Sequence, residues 1–399
     1  MRDEWGRTTL GELVTLQNGF PFKPGQLGQE GLPVVRIKQL LDARAPMDRS
    51  TATVPASMRI SDGDVIFSWS ATLSAQAWSR GPALLNQHLF SVSPRTPEVD
   101  KRFLVPLLQY MIPSLPMHGT TMKHVTKRDL NSQVVALPSL AEQRRIVDLI
   151  GSVDGALEEA VSLQHSARKT LTELGAEAVA RSRRGAWPSV TLAEAVGADG
   201  LIQTGPFGSQ LHKADYVTAG TAVVMPTNMS DGRIVSEGIA RIDEARAARL
   251  SRHRLQPGDI VWSRRGDVTR FATVSDDDDG MLCGTGCLLV RPGDPSITSW
   301  LEVWLSTPVV SAWLTDHAVG ATMANLNTRI LGGVPVVLPP DEDRPEFVGM
   351  LSALREQFEA AKNFANALQA LRARMLTVLI SGAHEIPSSY DRFLGSNGR

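Results

Sequence analysis

Val134-Val135-Ala136-Leu137-Pro138 returns later in the chain as Val336-Val337-Leu338-Pro339, and these two stretches decide the fold. Each combines a short β-branched run with a proline, and each precedes a long segment with regularly spaced apolar residues. A strand that leads into a helix, present twice in a chain of 399 residues, indicates a duplicated unit.

The duplication extends through further blocks that occur in the same order in both halves of the chain. One such match can arise by chance, but a whole ordered series points to an internal repeat. The matched blocks are Leu10-Gly11-Glu12-Leu13-Val14 with Leu192-Ala193-Glu194-Ala195-Val196, Gln17-Asn18-Gly19-Phe20-Pro21-Phe22 with Gln203-Thr204-Gly205-Pro206-Phe207-Gly208, Gly31-Leu32-Pro33-Val34-Val35 with Gly220-Thr221-Ala222-Val223-Val224, 62–68 with 256–263, and Gly119-Thr120-Thr121-Met122 with Gly320-Ala321-Thr322-Met323.

Each copy of the repeat begins with short β-branched or aromatic runs bounded by Gly, Pro and Asp, which is the pattern of strands. A Gly-Asp pair precedes a strand in both copies and predicts a turn in which Gly has a positive φ. A purely structural role explains this turn as well as a functional one. The predicted strands are 34–37, 65–69 and 89–92 in the first copy, and 223–224, 260–262 and 287–290 in the second.

Ser139-Leu140-Ala141-Glu142 fits a capping box and predicts the start of a long helix. Apolar or small residues then recur at alternating steps of four and three, with Gln164 as the polar member of the series. Arg183-Arg184-Gly185 suits the end of this helix. The series is Ile146, Ile150, Val153, Leu157, Ala160, Ala167, Leu171, Leu174 and Ala178.

A second helix of the same kind begins near Asp343-Arg344-Pro345-Glu346 and ends at Gly382. Two such seams most simply pair with each other, and the domain between them makes the pairing antiparallel, with the domains at opposite ends of a rod on the order of 60 Å. The alternative is that each seam packs against its own domain. The second series is Phe347, Leu351, Leu354, Phe358, Ala361, Ala365, Leu368, Met375 and Leu379.

The sequence therefore predicts an α+β fold with two repeated mixed α/β domains, separated by two long helices that pair as an antiparallel coiled coil. The expected bounds are 1–138 for the first domain, 139–185 for the central helix, 186–339 for the second domain, 340–384 for the C-terminal helix and 385–399 for a tail.

The overall charge does not by itself indicate a nucleic-acid binder, because the formal net charge is −1. Lys and Arg against Asp and Glu number 15 to 11 in the first domain but 12 to 16 in the second. If DNA is bound, local cationic patches or a basic partner must supply the phosphate contacts. No apolar run is long enough for a membrane span, and the N-terminus lacks a secretory signal, so we expect a cytoplasmic protein.

The sequence shows no reactive constellation. It lacks a G-x-x-x-x-G-K-[ST] phosphate loop and a G-x-S-x-G nucleophile elbow. Asp341, Glu342 and Asp343 fit an acidic helix start better than a nuclease site. The acidic run 276–279 lacks the spacing of a calcium loop. Cys283 and Cys287 alone are too few ligands for structural zinc and are expected in the core.

Polar and cationic side chains gather instead near the predicted strand ends, where Arg and Lys can bind guanine edges and Asn and Gln adenine edges. The framework repeats, but Ser68-Trp69-Ser70 stands opposite Ser263-Arg264-Arg265, and Asn86-Gln87-His88 opposite Gly284-Thr285-Gly286. Each residue alone is also explained as an ordinary surface residue, whereas the set suits a device that reads two different short sequences. The candidates are Arg36, Lys38, Gln87, His88, Lys123, His124, Lys127 and Arg128 in the first copy, and Lys213, Asn228, Arg264, Arg265, Arg270, Asn325, Asn327 and Arg329 in the second.

These features closely resemble the specificity subunits of type I restriction–modification systems, over nearly the whole chain. The resemblance is carried by Thr204-Gly205-Pro206-Phe207-Gly208-Ser209, by the Gly-Asp turns, and above all by Leu137-Pro138-Ser139-Leu140-Ala141-Glu142-Gln143-Arg144-Arg145-Ile146. The second helix opening departs from the pattern, because Pro340-Asp341-Glu342-Asp343-Arg344 replaces the Glu-Gln pair.

The resemblance implies a non-catalytic subunit with two target recognition domains, each of which reads one half of a bipartite site in double-stranded DNA. It implies helices that space the two halves and dock two methyltransferase subunits, with Glu142, Gln143, Arg144 and Arg145 as docking candidates. This chain would bind no cofactor itself. S-adenosylmethionine would belong to the methyltransferase, and ATP and magnesium to separate restriction/translocase subunits.

Three other interpretations stay open at this point. The second choice is the equivalent subunit of a related phage-defence or two-part restriction–methylation system with different catalytic partners. An enzyme with an unrecognised site around His118, His124 and His317 is disfavoured, because the two copies of the repeat do not share these histidines. A rod-like scaffold without a nucleic-acid role would not need two elaborate, non-identical domains.

Overall fold

The structure, a computed structural model, describes residues 5–120, 122–185, 187–319 and 324–394, and only the backbone of residue 213. Thr121, the Gly320-Ala321-Thr322-Met323 block and the last residues of the expected tail (395–399) lie outside this description. The chain divides into two compact units. The first unit consists of Met1–Ala160 and Asn363–Arg399, and the second unit of Val161–Lys362.

Two of the helices are far longer than the others. In the part of the chain that the structure describes, no helix is both long and apolar enough to cross a membrane. The helices are α1 (Leu10–Leu13), α2 (Ile37–Leu41), α3 (Leu104–Met111), α4 (Lys127–Asn131), α5 (Leu140–Arg183), α6 (Leu192–Val196), α7 (Glu244–Arg249), α8 (Thr298–Leu305), α9 (Pro308–His317), α10 (Thr328–Gly332) and α11 (Arg344–Ile380).

The first unit holds two four-stranded sheets and a separate strand pair. Its strands are β1 (Gly6–Thr9), β2 (Val14–Asn18), β3 (Leu32–Val35), β4 (Arg49–Ser50), β5 (Arg59–Ile60), β6 (Val65–Ser68), β7 (Ser74–Ala77), β8 (Ala83–Leu85), β9 (Leu89–Pro94) and β10 (Val134–Leu137). The central sheet has the order β2-β9-β6-β7, the outer sheet β4-β3-β8-β5, and β1 pairs with β10. All pairs are antiparallel except β3 with β8.

The second unit repeats this plan. Its strands are β11 (Ser189–Thr191), β12 (Leu201–Thr204), β13 (Tyr216–Val217), β14 (Thr221–Val224), β15 (Met229–Ser230), β16 (Arg233–Ile234), β17 (Ala240–Ile242), β18 (Ile260–Ser263), β19 (Phe271–Thr273), β20 (Leu282–Cys283), β21 (Cys287–Arg291) and β22 (Pro335–Val337). The central sheet has the order β12-β21-β18-β19, β14 pairs in parallel with β20, and β11 pairs with β22. The predicted duplication is therefore confirmed at the level of sheet topology.

The strands β6 and β18 of the two central sheets are buried on both faces, which explains their continuous apolar runs. In β6, Val65 and Phe67 pack toward α3, whereas Ile66 packs toward the outer sheet. In β18, Ile260 and Trp262 pack toward α8, whereas Val261 faces the other core. The predicted strands lie where expected, except that β3 ends before Arg36, Ile37 begins α2, and Trp69 lies just after β6. Gly63 and Gly258 have φ values of +83° and +90°, as the Gly-Asp turns require.

The long helices pack antiparallel in the first unit, as predicted. Ile146 and Ile150 near the start of α5 share a core with Leu379 and Ile380 at the end of α11. Further along, Val153, Leu157 and Ala160 of α5 meet Ala365 and Leu368 of α11.

In the second unit, the end of α5 and the start of α11 contribute to one core. Ala178 of α5 and Leu351 of α11 are both fully or almost fully buried there. Trp187, just after α5, packs edge-on against Trp300 and Phe347. Burial of such aromatic side chains is a large stabilising contribution, and it fixes the helix ends to the second domain.

Candidate nucleic-acid interface

The turns that follow β6 and β18 have the same backbone arrangement. In the first unit, Trp69 N donates to His88 O at 3.4 Å, and Val125 N donates to Trp69 O at 2.8 Å. In the second unit, Arg264 N donates to Gly286 O at 2.9 Å, and Leu326 N donates to Arg264 O at 2.9 Å. Trp69 and Arg264 therefore occupy equivalent positions on one framework.

The equivalence continues through the neighbouring residues. Ser70 forms an isolated β-bridge with His124, and Arg265 forms the same bridge with Asn325. The hydroxyls of Ser68 and Ser263 donate to the backbone oxygen two residues later in each turn, at 3.3 and 3.0 Å. We call Trp69, Gln87, His88, Lys123 and His124 the first face, and Arg264, Arg265, Thr285, Ala324 and Asn325 the second face.

The first face is built from aromatic and imidazole rings. The Trp69 ring centroid lies 5.4 Å from that of His88 and 6.4 Å from that of His124. Trp69 Nε1 donates to Gln87 O at 3.1 Å, which fixes the indole against the neighbouring turn. Gln87 and Lys123 are exposed beside this ring cluster. The face thus combines a base of packed rings with exposed polar side chains.

The second face is built from guanidinium groups. Arg264 Nε donates to Leu326 O at 3.3 Å, and its guanidinium lies 6.0 Å from the centroid of the exposed Phe207 ring. Arg265 and Arg270 are exposed, and Arg270 donates to Pro226 O at 3.2 Å. Asn325 Oδ1 is buried and has no hydrogen-bond partner among the described residues. An unsatisfied buried acceptor is costly, so this oxygen is suited to receive a donor from a ligand.

A glycine in each unit lets two loops approach each other behind the face. A Cβ on Gly19 would lie 2.3 Å from the carbonyl oxygens of Leu85 and Asn86. A Cβ on Gly205 would lie 1.9 Å from Gly284 O. The Gly-Phe and Gly-Pro-Phe motifs of the repeat are therefore required by backbone contact.

Arg36 joins the first face because β3 and β8 are parallel. Their register pairs Val35 with Leu85, so Arg36 and Asn86 follow at the same sheet edge. Arg36 forms an ion pair with Asp48 at 3.1 Å, and Lys38 is exposed on α2.

Arg128 and Arg329 occupy equivalent positions in the two units. Thr126 caps α4, and Asn327 caps α10 by accepting from Ile330 N at 2.8 Å. Both arginines are the second residue of their helix, and both are exposed. Both units thus have an exposed arginine at this position.

Several predicted side chains are engaged in holding the framework together. Lys127 Nζ donates to Leu16 O at 2.6 Å. Asn228 is buried and accepts from Met225 N at 3.1 Å, and Asn327 serves as the helix cap described above. Burial leaves little of the Asn228 side chain for a ligand, whereas Lys127 and Asn327 remain exposed. Lys213 begins a 3-10 turn, and its side chain is outside the described part of the structure.

The aspartates of the two Gly-Asp turns are bound within the fold. Asp64 accepts from Lys101 Nζ at 2.6 Å and from Ser61 N at 2.8 Å. Burial opposes ionisation of Asp64, but these hydrogen bonds outweigh it and lower its pKa. Asp259 is nearly fully buried and accepts from Arg291 at 2.6 and 2.7 Å. These contacts favour the structural interpretation of the turn.

The opening of α5 is occupied by contacts within the first unit. Gln143 is fully buried and bonds Asp100 N and Glu98 O at 2.8 Å each. Arg145 bonds Asp391 at 2.6 and 2.7 Å, and also Glu142 at 3.1 Å. Hydrogen bonds from Arg145 lower the pKa of Asp391.

Of the four docking candidates at this opening, only Arg144 has an exposed side chain, at 59%. Glu142, Gln143 and Arg145 instead hold the C-terminal segment and the turn before α3. Ser139 Oγ accepts from Glu142 N at 3.3 Å, but the Glu142 carboxylate turns to Arg145, so the predicted capping box is only half formed. The spacing of Ser139 and Glu142 predicts a helix cap. The C-terminal residues that Glu142 and Arg145 contact, Ile386 and Asp391, lie far away in sequence.

The residues considered for chemistry have structural partners. His118 bonds Asp129 at 3.0 Å in the first unit, and His317 stacks on Trp313 in the second, with ring centroids 3.9 Å apart. Cys283 and Cys287 are free and buried. Across the described ranges, no group of three His, Cys, Asp or Glu side chains is arranged to hold a metal ion.

Sequence comparison finds specificity domains and specificity subunits of type I restriction systems. A family model described as the type I restriction modification DNA specificity domain matches residues 2–164. Over 390 residues the chain is 22% identical to the type I restriction enzyme EcoBI specificity subunit of Escherichia coli, covering 89% of this chain and 80% of that protein. It is 18% identical over 405 residues to the MjaVIII specificity subunit of Methanocaldococcus jannaschii, covering 95% and 93%.

Structure comparison agrees on the fold. The crystal structure of the type I restriction–modification system S subunit from M. genitalium matches with a TM-score of 0.65 at 14% identity, covering 95% of this chain and 97% of that one. Over most of its length the chain is thus similar in sequence to specificity subunits of type I restriction enzymes, and its duplicated domains and paired helices have the fold of such a subunit.

Proposed function

We propose that this chain is the non-catalytic DNA-specificity subunit of a type I restriction–modification complex, in which each unit selects one half of a bipartite target. The observation that carries the proposal is the pair of equivalent faces, which share a backbone framework but not their side chains. Features common to both units suit phosphate contacts, which are the same for every sequence, and the features that differ include the candidates for base contacts.

In the first half-site, we assign Gln87, His88 and Lys123 to base edges. The Gln87 amide is suited to adenine and the Lys123 ammonium to guanine. The ring cluster around Trp69 would hold the Gln87 loop in place, since the indole donates to the Gln87 backbone. Arg36, Lys38 and Arg128 flank these residues, and we assign them to phosphates.

In the second half-site, we assign Arg264, Arg265 and Asn325 to base edges. Exposed Arg265 is suited to the two acceptors of guanine. The unsatisfied Asn325 oxygen is suited to an amino group of adenine or cytosine. We assign Arg270 and Arg329 to phosphates. Lys127, Asn228 and Asn327 support the two faces from within the fold.

The proposed partners follow from the similarity to these specificity subunits. We propose that double-stranded DNA lies against both faces, and that two methyltransferase subunits dock along α5 and α11 near exposed Arg144. Restriction/translocase subunits would join this complex in the cytoplasm. S-adenosylmethionine would be held by the methyltransferases, and ATP and magnesium by the restriction subunits. With a net charge of −1, the chain depends on these partners for part of its grip on DNA.

The decisive experiment is to express the chain with its methyltransferase subunit and to sequence the methylated DNA. We expect adenine methylation within a split motif, and only when this chain is present. A continuous motif, or methylation that does not depend on the chain, would refute the proposal. The same motif with a different catalytic partner would favour the related phage-defence or two-part system.

A second experiment assigns the faces to half-sites. Replacing Arg264 and Arg265 together by Ala should relax only the half read by the second unit, by about 10- to 100-fold per lost bidentate contact. Arg249→Ala, an exposed arginine of α7, is the matched control. Relaxation of the other half-site would reverse the assignment. Deletion of residues 157–163, one heptad of α5, should disturb the spacing or abolish assembly.

A further inference from the structure

A polar cluster in the first unit ties the recognition domain to both long helices. Arg372 of α11 donates from Nε and Nη2 to the Asp154 carboxylate of α5, the second bond at 3.0 Å. The same Nη2 donates to Gln109 Oε1 of α3 at 2.9 Å. Gln109 Nε2 in turn donates to Ala75 O of β7 at 2.8 Å. We call Gln109, Asp154 and Arg372 the first clamp.

The second unit has its own cluster at the corresponding helix. Glu302 of α8 accepts from Thr273 Oγ1 of β19 at 2.9 Å and from Arg355 of α11. Arg233 of β16 lies 3.8 Å from Glu302 and donates to Glu359 of α11 at 2.7 Å. We call Arg233, Glu302, Arg355 and Glu359 the second clamp.

Each clamp connects a recognition domain to the long helices, but the side chains and the parts of the helices differ. In both units, the edge strand of the central sheet is bonded to the next helix of the domain (β7 to α3, β19 to α8). That helix is in turn bonded to α11. Asp154 and Arg355 each stand 17 residues after the leucine of their Leu-Pro pair, yet their charges are opposite. Each recognition domain thus has its own polar connection to α11.

Apolar packing alone does not fix the angle between a domain and its helices. The second clamp lines a cleft of about 870 Å³, so the domain and the helices are not closely packed there. Charge-assisted hydrogen bonds are directional, whereas apolar contacts tolerate sliding. Burial raises the pKa of Glu302 to about 7, although Arg233 and Thr273 favour its charged form. Glu302 therefore depends on its arginines to remain ionised.

We propose that the two clamps are positioning elements that fix the angle of each recognition domain on its helices, and so determine which gap between half-sites the subunit accepts. The inference rests on the proposed function and adds residues that contact no base. Helix length would then set the approximate gap, and the clamps would restrict it to one value. Loosening a clamp should broaden the range of gaps that the subunit accepts. The sequences read in the two half-sites should stay unchanged.

The test uses the complete chain with its methyltransferase and a DNA library in which both half-sites are intact and the gap varies by single base pairs. For Arg372→Met and for Arg355→Met, methylation at the preferred gap relative to neighbouring gaps should fall about tenfold, the size of one lost charge-assisted hydrogen bond. Arg374→Met, an exposed arginine of the same helix, is the matched control and should keep the gap preference.

A charge exchange separates positioning from a loss of folding. Asp154→Arg and Arg372→Asp should each broaden the range of gaps at which DNA is methylated. The double variant should restore the wild-type preference for one gap. Arg372→Met could lower the melting temperature so far that no complex forms. In that case Gln109→Leu is the variant to use, because it removes only the uncharged member of the first clamp, and it should broaden the range of accepted gaps. Unchanged gap preference in folded variants would overturn the inference, and so would altered base preference. A wild-type complex that methylates no split site would overturn the proposed function itself.

Discussion

The turns after β6 and β18 share their main-chain hydrogen bonds but not their surface. One presents Trp69 packed among histidines, and the other presents Arg264 and Arg265 at the same places. Buried strands, close-packed glycines and paired aspartates support both turns from behind. The difference teaches that this fold separates the residues that hold the turn from the residues that face outward, so that the outer ones are free to vary.

The largest expected effect comes from breaking the shared framework. Gly205→Ala would place a Cβ 1.9 Å from Gly284 O, where neither backbone can move easily. We expect a loss of about 3 kcal/mol in the free energy of unfolding, the upper range for overpacking. Gly208→Ala is the control, since a Cβ there meets nothing within 4 Å. Denaturant titration measures the difference, and equal stability of the two variants would contradict the requirement for a close approach.

The next effect comes from exchanging one face for the other. Trp69→Arg combined with His88→Gly gives the first unit the side chains of the second at those positions. We expect binding to the first half-site to weaken by about 1–3 kcal/mol, with the second half-site unaffected. The reverse change, Arg264→Trp, should affect the second half-site alone. Binding assays with each half-site mutated separately measure both, and a loss shared between the half-sites would show that the faces are not independent.

The features that depend on local periodicity were predictable from the sequence. The duplication, the central strands and the two long helices follow from patterns within a few residues. Contacts between distant segments were not predictable: Arg145 was expected to face a partner, but its acid Asp391 is at the other end of the chain. Asn228 has the chemistry of a base reader, and only the fold shows that it caps a turn. Phe207 belongs to a repeated sequence motif, but only the fold places its ring beside Arg264.

A smaller effect tests the cation that the two units have in common. Arg128→Gln and Arg329→Gln each remove one expected phosphate contact at equivalent positions. Each should weaken binding to all sequences alike and reduce the slope of log K against log salt by about 1. Arg249→Gln should leave the slope unchanged. A change in base preference with an unchanged slope would mean that these arginines read bases, and the division into common and variable contacts would then be wrong.

The smallest expected effect comes from removing the charge of Asp64, the aspartate behind the first face, and comparing the two central sheets. The pKa of Asp64 is lowered because hydrogen bonds from Lys101 and Ser61 outweigh the effect of burial. A carboxyl with a lowered pKa stabilises the fold above its ordinary value of 3.8, and this stabilisation is lost as the pH falls through the lowered pKa. Asp64→Asn should therefore lower the free energy of unfolding by about 1 kcal/mol at neutral pH, and the difference from wild type should shrink at acid pH.

Hydrogen exchange in β6 and β18 at several pH values measures the effect in each unit, because local opening of one central sheet need not open the other. A pH-independent difference would mean that the Asn amide loses packing rather than charge, and equal loss of protection in β18 would mean that the two sheets open together.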